Sequence, residues 1–418
     1  MKLRFLCLAL AILLLLCVVI SCQKEPEPTL IDAEYQIVHT ADDPYAEAAA
    51  YSLCSAIRRV IGERLTVTTT KVFAPETAGG KVIYVGNPPH MEELPALDEN
   101  AFSVSMSEQG ILIRGENPLA LYLATEAIAK AWGTEEYGLI AEGALQISEA
   151  ICEKLNTLTP GAETVISVMS QNVRCANDGN GNDIADRKVR LQQLVTDYDP
   201  DLLGTQEVTA KWMEIFEEYF GADYGMVGCS RDGANAKSGE WNTILYKKAR
   251  FDLLESGTFW LTDTPNEASM TEGALCRRIC TWAILKDKLT EQEVLFCNTH
   301  LDHSNDTVRD DQAKYLMQFI NSHNGQYPVF LTGDFNTTYG KAPYKTVTAT
   351  LADAHRVTDL DISTVKGTFH AYSTPKNEID FCFFDSKKAE VKVYRILSET
   401  YNGFVSDHYG VIGYFQLK

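Results

Sequence analysis

Five short apolar runs, each carrying a polar, chemically capable residue at one end, constrain this chain more than any other feature of its sequence. VISVMSQN ends at Asn172, DLLGTQE at Glu207, VLFCNTH at Asn298 and His300, and VFLTGDFN at Asp334 and Asn336, while IDFCFF opens on Asp380. A sixth pattern, Ser406-Asp407-His408, precedes an apolar stretch that reads as the last strand. Runs of this length, rich in β-branched and aromatic residues, read as buried strands. The sheet fixes the roots of the loops that follow, so acids, amides and imidazoles placed there repeatedly mark a site. Each one alone is better read as a turn residue, a cap or a structural histidine. Their joint occurrence and order carry the information.

Around these runs the pattern from Glu163 onward is one of many strands and few helices. Strands are expected at Val165–Asn172, Thr243–Tyr246, Thr281–Leu285, Val294–Thr299, Val329–Thr332 and Ile379–Phe384. Helices are expected at Asp186–Tyr198, Thr209–Phe220 and Asp306–Ser322. Strands with covering helices suggest an α+β layered sandwich. The preceding residues, 34–155, read as a separate small α/β domain. It has a helix over Tyr45–Ile61, strands at Lys81–Val85, Phe102–Val104 and Ile111–Ile113, and a helix over Leu119–Trp132. At roughly 100–200 residues per domain, 418 residues suit two such units. The order helix, strand, hairpin, helix resembles the accessory α/β domain placed before the catalytic barrel of β-N-acetylhexosaminidases, a match of pattern over about 110 residues.

The first residues read as an address. Lys2 and Arg4 precede an uncharged run from Phe5 to Ser21, and Ser21-Cys22 closes it, which gives the n- and h-regions of a secretory signal. Val19-Ile20-Ser21-Cys22 is similar to a bacterial lipoprotein signal, with Cys22 as the lipidated residue and residues 23–33 as a polar tether. An uncleaved signal anchor is the alternative. Either way the body is expected outside the cytoplasm, as a membrane-anchored protein of the periplasm or cell surface. Eight cysteines then remain in the body: Cys54, Cys152, Cys175, Cys229, Cys276, Cys280, Cys297 and Cys382. An exported chain permits disulfides, and Cys276 with Cys280 is the pair to consider. Cys297 and Cys382 sit inside strand-like runs and read as buried thiols.

The order N…QE…NTHxD…GDFN…ID…SDH resembles the endonuclease/exonuclease/phosphatase superfamily, whose members share the fold of pancreatic deoxyribonuclease. The resemblance covers residues 163–418 and implies a four-layered α/β/β/α sandwich with its site at one end. It also implies Glu207 as principal metal ligand, with Asn172 and Asp407 beside it, and Mg²⁺, or else Mn²⁺, as the cofactor. His408 would be the general acid/base oriented by Asp380. Asp334 would position or deprotonate the attacking water, and Asn336 would hold the phosphoryl group. His300, if protonated, would face the developing charge. Asn242, Arg278 and His370 are weaker candidates for substrate contacts.

Phosphoester hydrolysis therefore heads the functional reading, with a phosphodiester or small phosphate ester as substrate. Rivals are an extracellular nuclease, a sphingomyelinase-like phospholipase C, a sugar or inositol phosphate phosphatase, and a non-catalytic binding protein. Charge bears on this choice. The chain carries 37 basic and 57 acidic residues; 26 and 36 of them lie from Glu163 onward, a net of −10. No basic stripe with interleaved aromatics appears, so no stable nucleic-acid complex is expected. The partners expected are a phosphate-ester substrate and, through the lipid anchor, a membrane; the oligomeric state stays open.

Overall fold

A computed structural model of the chain describes residues 29–418, except 41–43, 71–80, 88–95, 98–100, 108–109, 135–136, 138–139, 142–143, 159–164, 324 and 359–360. The expected signal and Cys22 lie outside these residues. Among the described residues, no helix is long and apolar enough to cross a membrane. The chain divides into two compact units, Met1–Ala162 and Glu163–Lys418.

The first unit contains β1 (Thr29–Ile31), β2 (Gln36–Thr40), α1 (Pro44–Ile61), β3 (Thr66–Thr70), β4 (Val82–Val85), β5 (Phe102–Ser107), β6 (Gly110–Gly115), α2 (Pro118–Ala131), β7 (Ile140–Ala141), β8 (Ala144–Ile147) and α3 (Glu149–Leu155). A five-stranded sheet has the order β3-β2-β4-β6-β5, and a small one the order β1-β8-β7. Asn117 caps α2 by accepting from Ala120 N–H, with Pro118 at the first helical position. Residues 29–31, expected in the tether, pair instead with β8, because Ile31 has a buried place to fill there.

The second unit contains β9 (Val165–Asn172), α4 (Ile184–Tyr198), β10 (Leu202–Gln206), α5 (Ala210–Phe220), β11 (Tyr224–Val227), β12 (Ile244–Lys247), β13 (Phe251–Trp260), β14 (Ile279–Asp287), β15 (Glu293–His300), α6 (Asp306–Ser322), β16 (Val329–Asp334), α7 (Ala342–Thr348), β17 (Ala352–Asp353), α8 (Ala354–Val357), β18 (Asp380–Phe384), β19 (Ala389–Leu397) and β20 (Gly410–Leu417). Two six-stranded sheets result, β11-β12-β10-β9-β20-β19 and β13-β14-β15-β16-β18-β17. Between them lies one core, with Ile166, Val168 and Leu202 from the first sheet against Phe296, Phe330 and Phe384 from the second. A second core joins the outer face of the second sheet to Leu316, Met317 and Ile320 of α6 and Tyr344 and Val347 of α7. Runs buried on both faces explain why the central strands are continuously apolar rather than alternating.

The register places the polar strand ends side by side. β9 and β10 are parallel, with Asn172 opposite Gln206. β15 and β16 are parallel, with His300 opposite Asp334, and antiparallel β18 sets Asp380 opposite Asp334. Three functional side chains thus lie in lateral register on adjacent strands of one sheet. A polar bolt crosses between the sheets below them: Asn298 donates to the carbonyls of Thr205 and Thr243 and accepts from Gln206 and Thr332. Gly204 makes room for it, since a Cβ there would lie 2.1 Å from Thr332 Oγ1 and 2.7 Å from Asn298 Oδ1. All eight body cysteines are free thiols, so Cys276 and Cys280 do not bridge.

Candidate active site

Glu207 directly follows β10 in the left-handed region at φ 58, a backbone conformation that costs energy for a side-chain-bearing residue. Its carboxylate accepts from Asn172 Nδ2 (3.0 Å) and Cys175 N–H (2.9 Å). Burial opposes ionisation of Glu207, but these hydrogen bonds outweigh it and hold the carboxyl below its usual range. The Asn172 amide also donates to Asp334 Oδ2 at 3.0 Å, so one NH₂ group bridges two carboxylates from different sheets. Its oxygen is turned the other way, accepting from Arg174 N–H.

His408 and Asp380 lie in direct hydrogen-bonding contact: His408 Nδ1 is 2.8 Å from Asp380 Oδ2. His408 Nε2 faces Asp334 Oδ2 at 3.8 Å. Burial disfavours the imidazolium, yet the Asp380 and Asp334 carboxylates overcome it and raise His408 to about 10. Asp334 is itself raised to about 7, by burial and then by the charge of Asp380. Asp407 is likewise raised by burial, with Glu207 adding to the effect and His408 opposing it.

His300 differs from expectation in protonation. Asn336 Nδ2 lies 3.1 Å from the Leu301 carbonyl, so it is a donor, and it also contacts His300 Nε2 at 3.0 Å. Nε2 therefore accepts and the ring proton sits on Nδ1, which has no partner among the described residues. Burial and the nearby Arg278 and Arg231 charges push His300 well below its ordinary value, so it is neutral rather than cationic. The same contacts occupy both amide hydrogens of Asn336.

Of the weaker candidates, Arg278 is the one whose charge reaches the site. It is 4% exposed, its Nε has no partner, and its nearest groups are His303 Nδ1 (3.2 Å) and Asp302 Oδ2 (3.7 Å). Asn242 is tied down structurally, donating to the Ile279 carbonyl at 2.8 Å. His370 is fully buried among Phe404, Tyr409 and Tyr372, which excludes it from a cleft surface. Asn298 is the inter-sheet bolt described above rather than a site residue. Asp302, Arg309 and Gln312 form a turn network in which Gln312 accepts from Asp302 N–H and Arg309 donates to the Asp302 carbonyl.

Two cations escaped the sequence reading. Arg174, at φ 60, places its guanidinium 3.8 Å from Glu207 and 3.6 Å from Asp407, and pairs with Asp178 at 3.0 Å. The only sequence signal was its position two residues past Asn172 at a strand end. Arg231 lies in a turn-rich loop, held by Glu240 at 2.8 Å, and no pattern marks it. Buried Arg187 fixes the loop carrying Arg174 by donating to the carbonyls of Val173, Arg174, Ala176 and Asn182.

The donor set fits a hard divalent cation. Glu207, Asp334, Asp380 and Asp407 converge around Arg174 and His408, so among the described residues the carboxylates outnumber the cations in contact with them. Asp380 Oδ1 is buried without a hydrogen-bond partner among the described residues, and ligand atoms of Glu207, His300 and Asp334 lie within 4.8 Å of one another. Cys276, Asp302 and His303 also cluster, but Arg278 already supplies the cation there.

The endonuclease/exonuclease/phosphatase family profile matches residues 169–408. A solved family protein of Bacteroides vulgatus is 30% identical over 61% of this chain and 100% of its own, with a TM-score of 0.58. A mannosyl-6-phosphatase of Bacteroides thetaiotaomicron is 30% identical over 60% and 99%, with a TM-score of 0.56. The catalytic domain of human Nocturnin, solved with bound sulfate, shares the fold at 18% identity over 61% and 95%, with a TM-score of 0.51. No curated protein sequence matches the chain.

Proposed function

The chain belongs to the endonuclease/exonuclease/phosphatase family, as a phosphoesterase, and from that premise we propose that it removes the phosphate from a phosphorylated sugar with the help of a divalent cation. The observation that carries the substrate class is the cationic wall beside His300. Arg278, almost wholly buried beside Asp302, and Arg231, paired with Glu240, are the cations whose charge adds to burial in holding His300 below its ordinary value. A phosphomonoester brings up to two negative charges and a diester one, so cations beyond the metal and His408 favour the monoester. The net charge of −10 in this unit and the absence of a basic stripe weigh against a polymeric nucleic acid. The relative that is a mannosyl-6-phosphatase, 30% identical over 99% of its length, points the same way.

The roles follow from the protonation states. His408, raised to about 10, is already protonated near neutrality and has no capacity to take a proton from water. Asp334, whose carboxyl is raised by burial and by the charge of Asp380, lies 3.8 Å from that imidazolium, and we assign it as the base. As the water oxygen bonds to phosphorus, Asp334 accepts its proton, the P–O bond to the sugar breaks and the sugar oxygen takes a proton from solvent, while the imidazolium, held by Asp380, stabilises the phosphoryl oxygens. Neutral His300 presents a donor at Nδ1 only, and its Nε2 aligns Asn336. A divalent cation held by Glu207 and Asp407, with the Asn172 amide beside them, would neutralise phosphoryl charge when bound. We also propose that the protein is exported and lipid-tethered through Cys22; loss of radiolabelled palmitate incorporation in Cys22→Ala would support this, and unchanged labelling would sink it.

The direct test sets mannose 6-phosphate beside bis-p-nitrophenyl phosphate, each with Mg²⁺ and with chelator. Turnover of the monoester, abolished by chelator, is expected. Turnover of the diester alone would reinstate the phosphodiester expected from the sequence. Turnover of neither with any divalent metal would leave the binding-protein reading.

A further inference from the structure

The second sheet of the catalytic unit is wider than the helices that cover it. Six strands spaced about 4.8 Å apart span roughly 24 Å or more, while two helices packed about 10 Å apart cover close to 20 Å. The uncovered part is the β13 edge, flanked by α6, and it holds a hollow of about 560 Å³. The floor is aromatic: half-buried Trp282 packs against Phe319 at 5.3 Å between ring centres, and Tyr315 lines the same wall. Gly257 lets the Trp282 indole lie against the strand, since a Cβ there would come 2.9 Å from three atoms of the ring. Around the floor stand the exposed side chains of Asp263, Asn266 and Gln318.

We propose that this edge is a carbohydrate groove that receives the unphosphorylated sugar residues of the substrate; the proposal rests on the phosphosugar reading above and extends it from one sugar to a glycan. Ring faces ringed by planar amide and carboxylate groups match a pyranose, which has apolar C–H faces and a hydroxyl rim. A nucleobase would also stack on such a floor, but no lining residue is basic, and Asp263 would repel a phosphate backbone. The groove also leads somewhere. It shares Gly257, Thr258, Trp260 and Asn266 with a second hollow of about 370 Å³ that continues to Gly228 and Cys229. Trp260, common to both, donates its indole N–H to the carbonyl of Arg231 at 2.7 Å. Trp260 stands opposite Ile279 on β14, and the adjoining Cys280 stands opposite Thr299 on β15, the residue before His300. A glycan lying in the groove therefore points its end at the catalytic wall.

The test compares kcat/KM for mannose 6-phosphate and for 6-phosphorylated mannotriose, using the full chain with Mg²⁺. The wild type should prefer the trisaccharide about tenfold or more. Trp282→Ala, and separately the double variant Asn266→Ala with Gln318→Ala, should lose that preference while processing mannose 6-phosphate within twofold of wild type. The double variant alters exposed residues only, so it stays informative if Trp282→Ala fails to fold. No preference in the wild type, or a preference kept in both variants, overturns the groove. Failure of mannose 6-phosphate as a substrate would sink the phosphosugar reading instead. In that event the groove is judged by tryptophan fluorescence during titration with unphosphorylated mannotriose, xylotriose and chitotriose. Quenching that disappears in the variants upholds it, and no response to any of the three, or a response to an apolar peptide alone, overturns it.

Discussion

The two ends of the catalytic sandwich handle buried charge in opposite ways. At the end where β9 and β10 begin, Arg250 lies between Asp201 (2.9 Å) and Asp287 (3.0 Å) and also donates to the Val165 carbonyl at 2.6 Å. Both carboxylates there are paired with the same cation. At the end where the same strands stop, four carboxylates share Arg174 and His408, and Asp380 Oδ1 has no hydrogen-bond partner among the described residues. The first arrangement closes the sheets together. The second stores electrostatic cost that folding alone never recovers, and an incoming cation and substrate can relieve it. Burial with pairing marks structure here, and burial without it marks function.

The largest effect should come from removing the carboxylate that anchors the charged end. Glu207→Gln is expected to lower kcat/KM by about 100-fold or more, and Mg²⁺, expected to raise the melting temperature of the wild type, should no longer raise that of the variant. A variant that keeps both would break the assignment of that end. At the other end, Arg250→Met leaves Asp201 and Asp287 buried without their cation, and should destabilise by about 3–5 kcal/mol in urea titration with kcat/KM of the folded fraction unchanged. Asp334→Asn turns the contrast into a difference of sign. Because the folded-state pKa of Asp334 is raised to about 7, its ionised form opposes folding, and the stability it withholds grows as pH rises from the unfolded value near 3.9 through 7. Metal-free Asp334→Asn should therefore be more stable than wild type by about 1–3 kcal/mol at pH 8, while losing most activity. Destabilisation of this variant would show that the end is not under the strain described.

Much of the charged end could be read from sequence, because its residues sit at the ends of apolar runs, where strand periodicity is strongest. Val165–Asn172 and Asp306–Ser322 begin and end where the pattern places them. What stayed hidden follows a physical rule. β13, FDLLESGTFW, is an edge strand with residues 252–256 all exposed and a bulge between Leu253 and Glu255, so neither alternation nor a buried run survives. Arg174 and Arg231 act from loops, where no periodicity exists to flag them. Asn298 misled in the other direction: it resembles a site residue because it ends a run, but Thr205, Gln206 and Thr243 across the sandwich, invisible as neighbours in a linear sequence, take three of its hydrogen bonds and Thr332 a fourth. His370 precedes β18 as a cleft residue could, yet aromatic packing at Phe404 and Tyr409 encloses it.

A third cluster tests whether pairing alone, away from the site, behaves as the Arg250 end does. His355 contacts Glu378 at 2.6 Å and Asp361 at 3.1 Å and stacks on Tyr394 at 4.6 Å between ring centres. Burial disfavours its charge, but the two carboxylates prevail and raise it to about 9. A histidine whose folded pKa is raised contributes its full stabilisation below the unfolded value near 6.5, and loses it as pH rises through about 9. Urea midpoints of the wild type should accordingly fall between pH 6.5 and 9, and His355→Gln should flatten that fall while lowering stability at pH 6 by about 1–2 kcal/mol. Unlike Glu207→Gln and Asp334→Asn, it should leave both activity and Mg²⁺-induced stabilisation untouched. If the alkaline fall persists unchanged in His355→Gln, its source lies with His408, the other raised histidine, and saturating Mg²⁺ should then move it, because that histidine alone shares its carboxylates with the end proposed to bind metal.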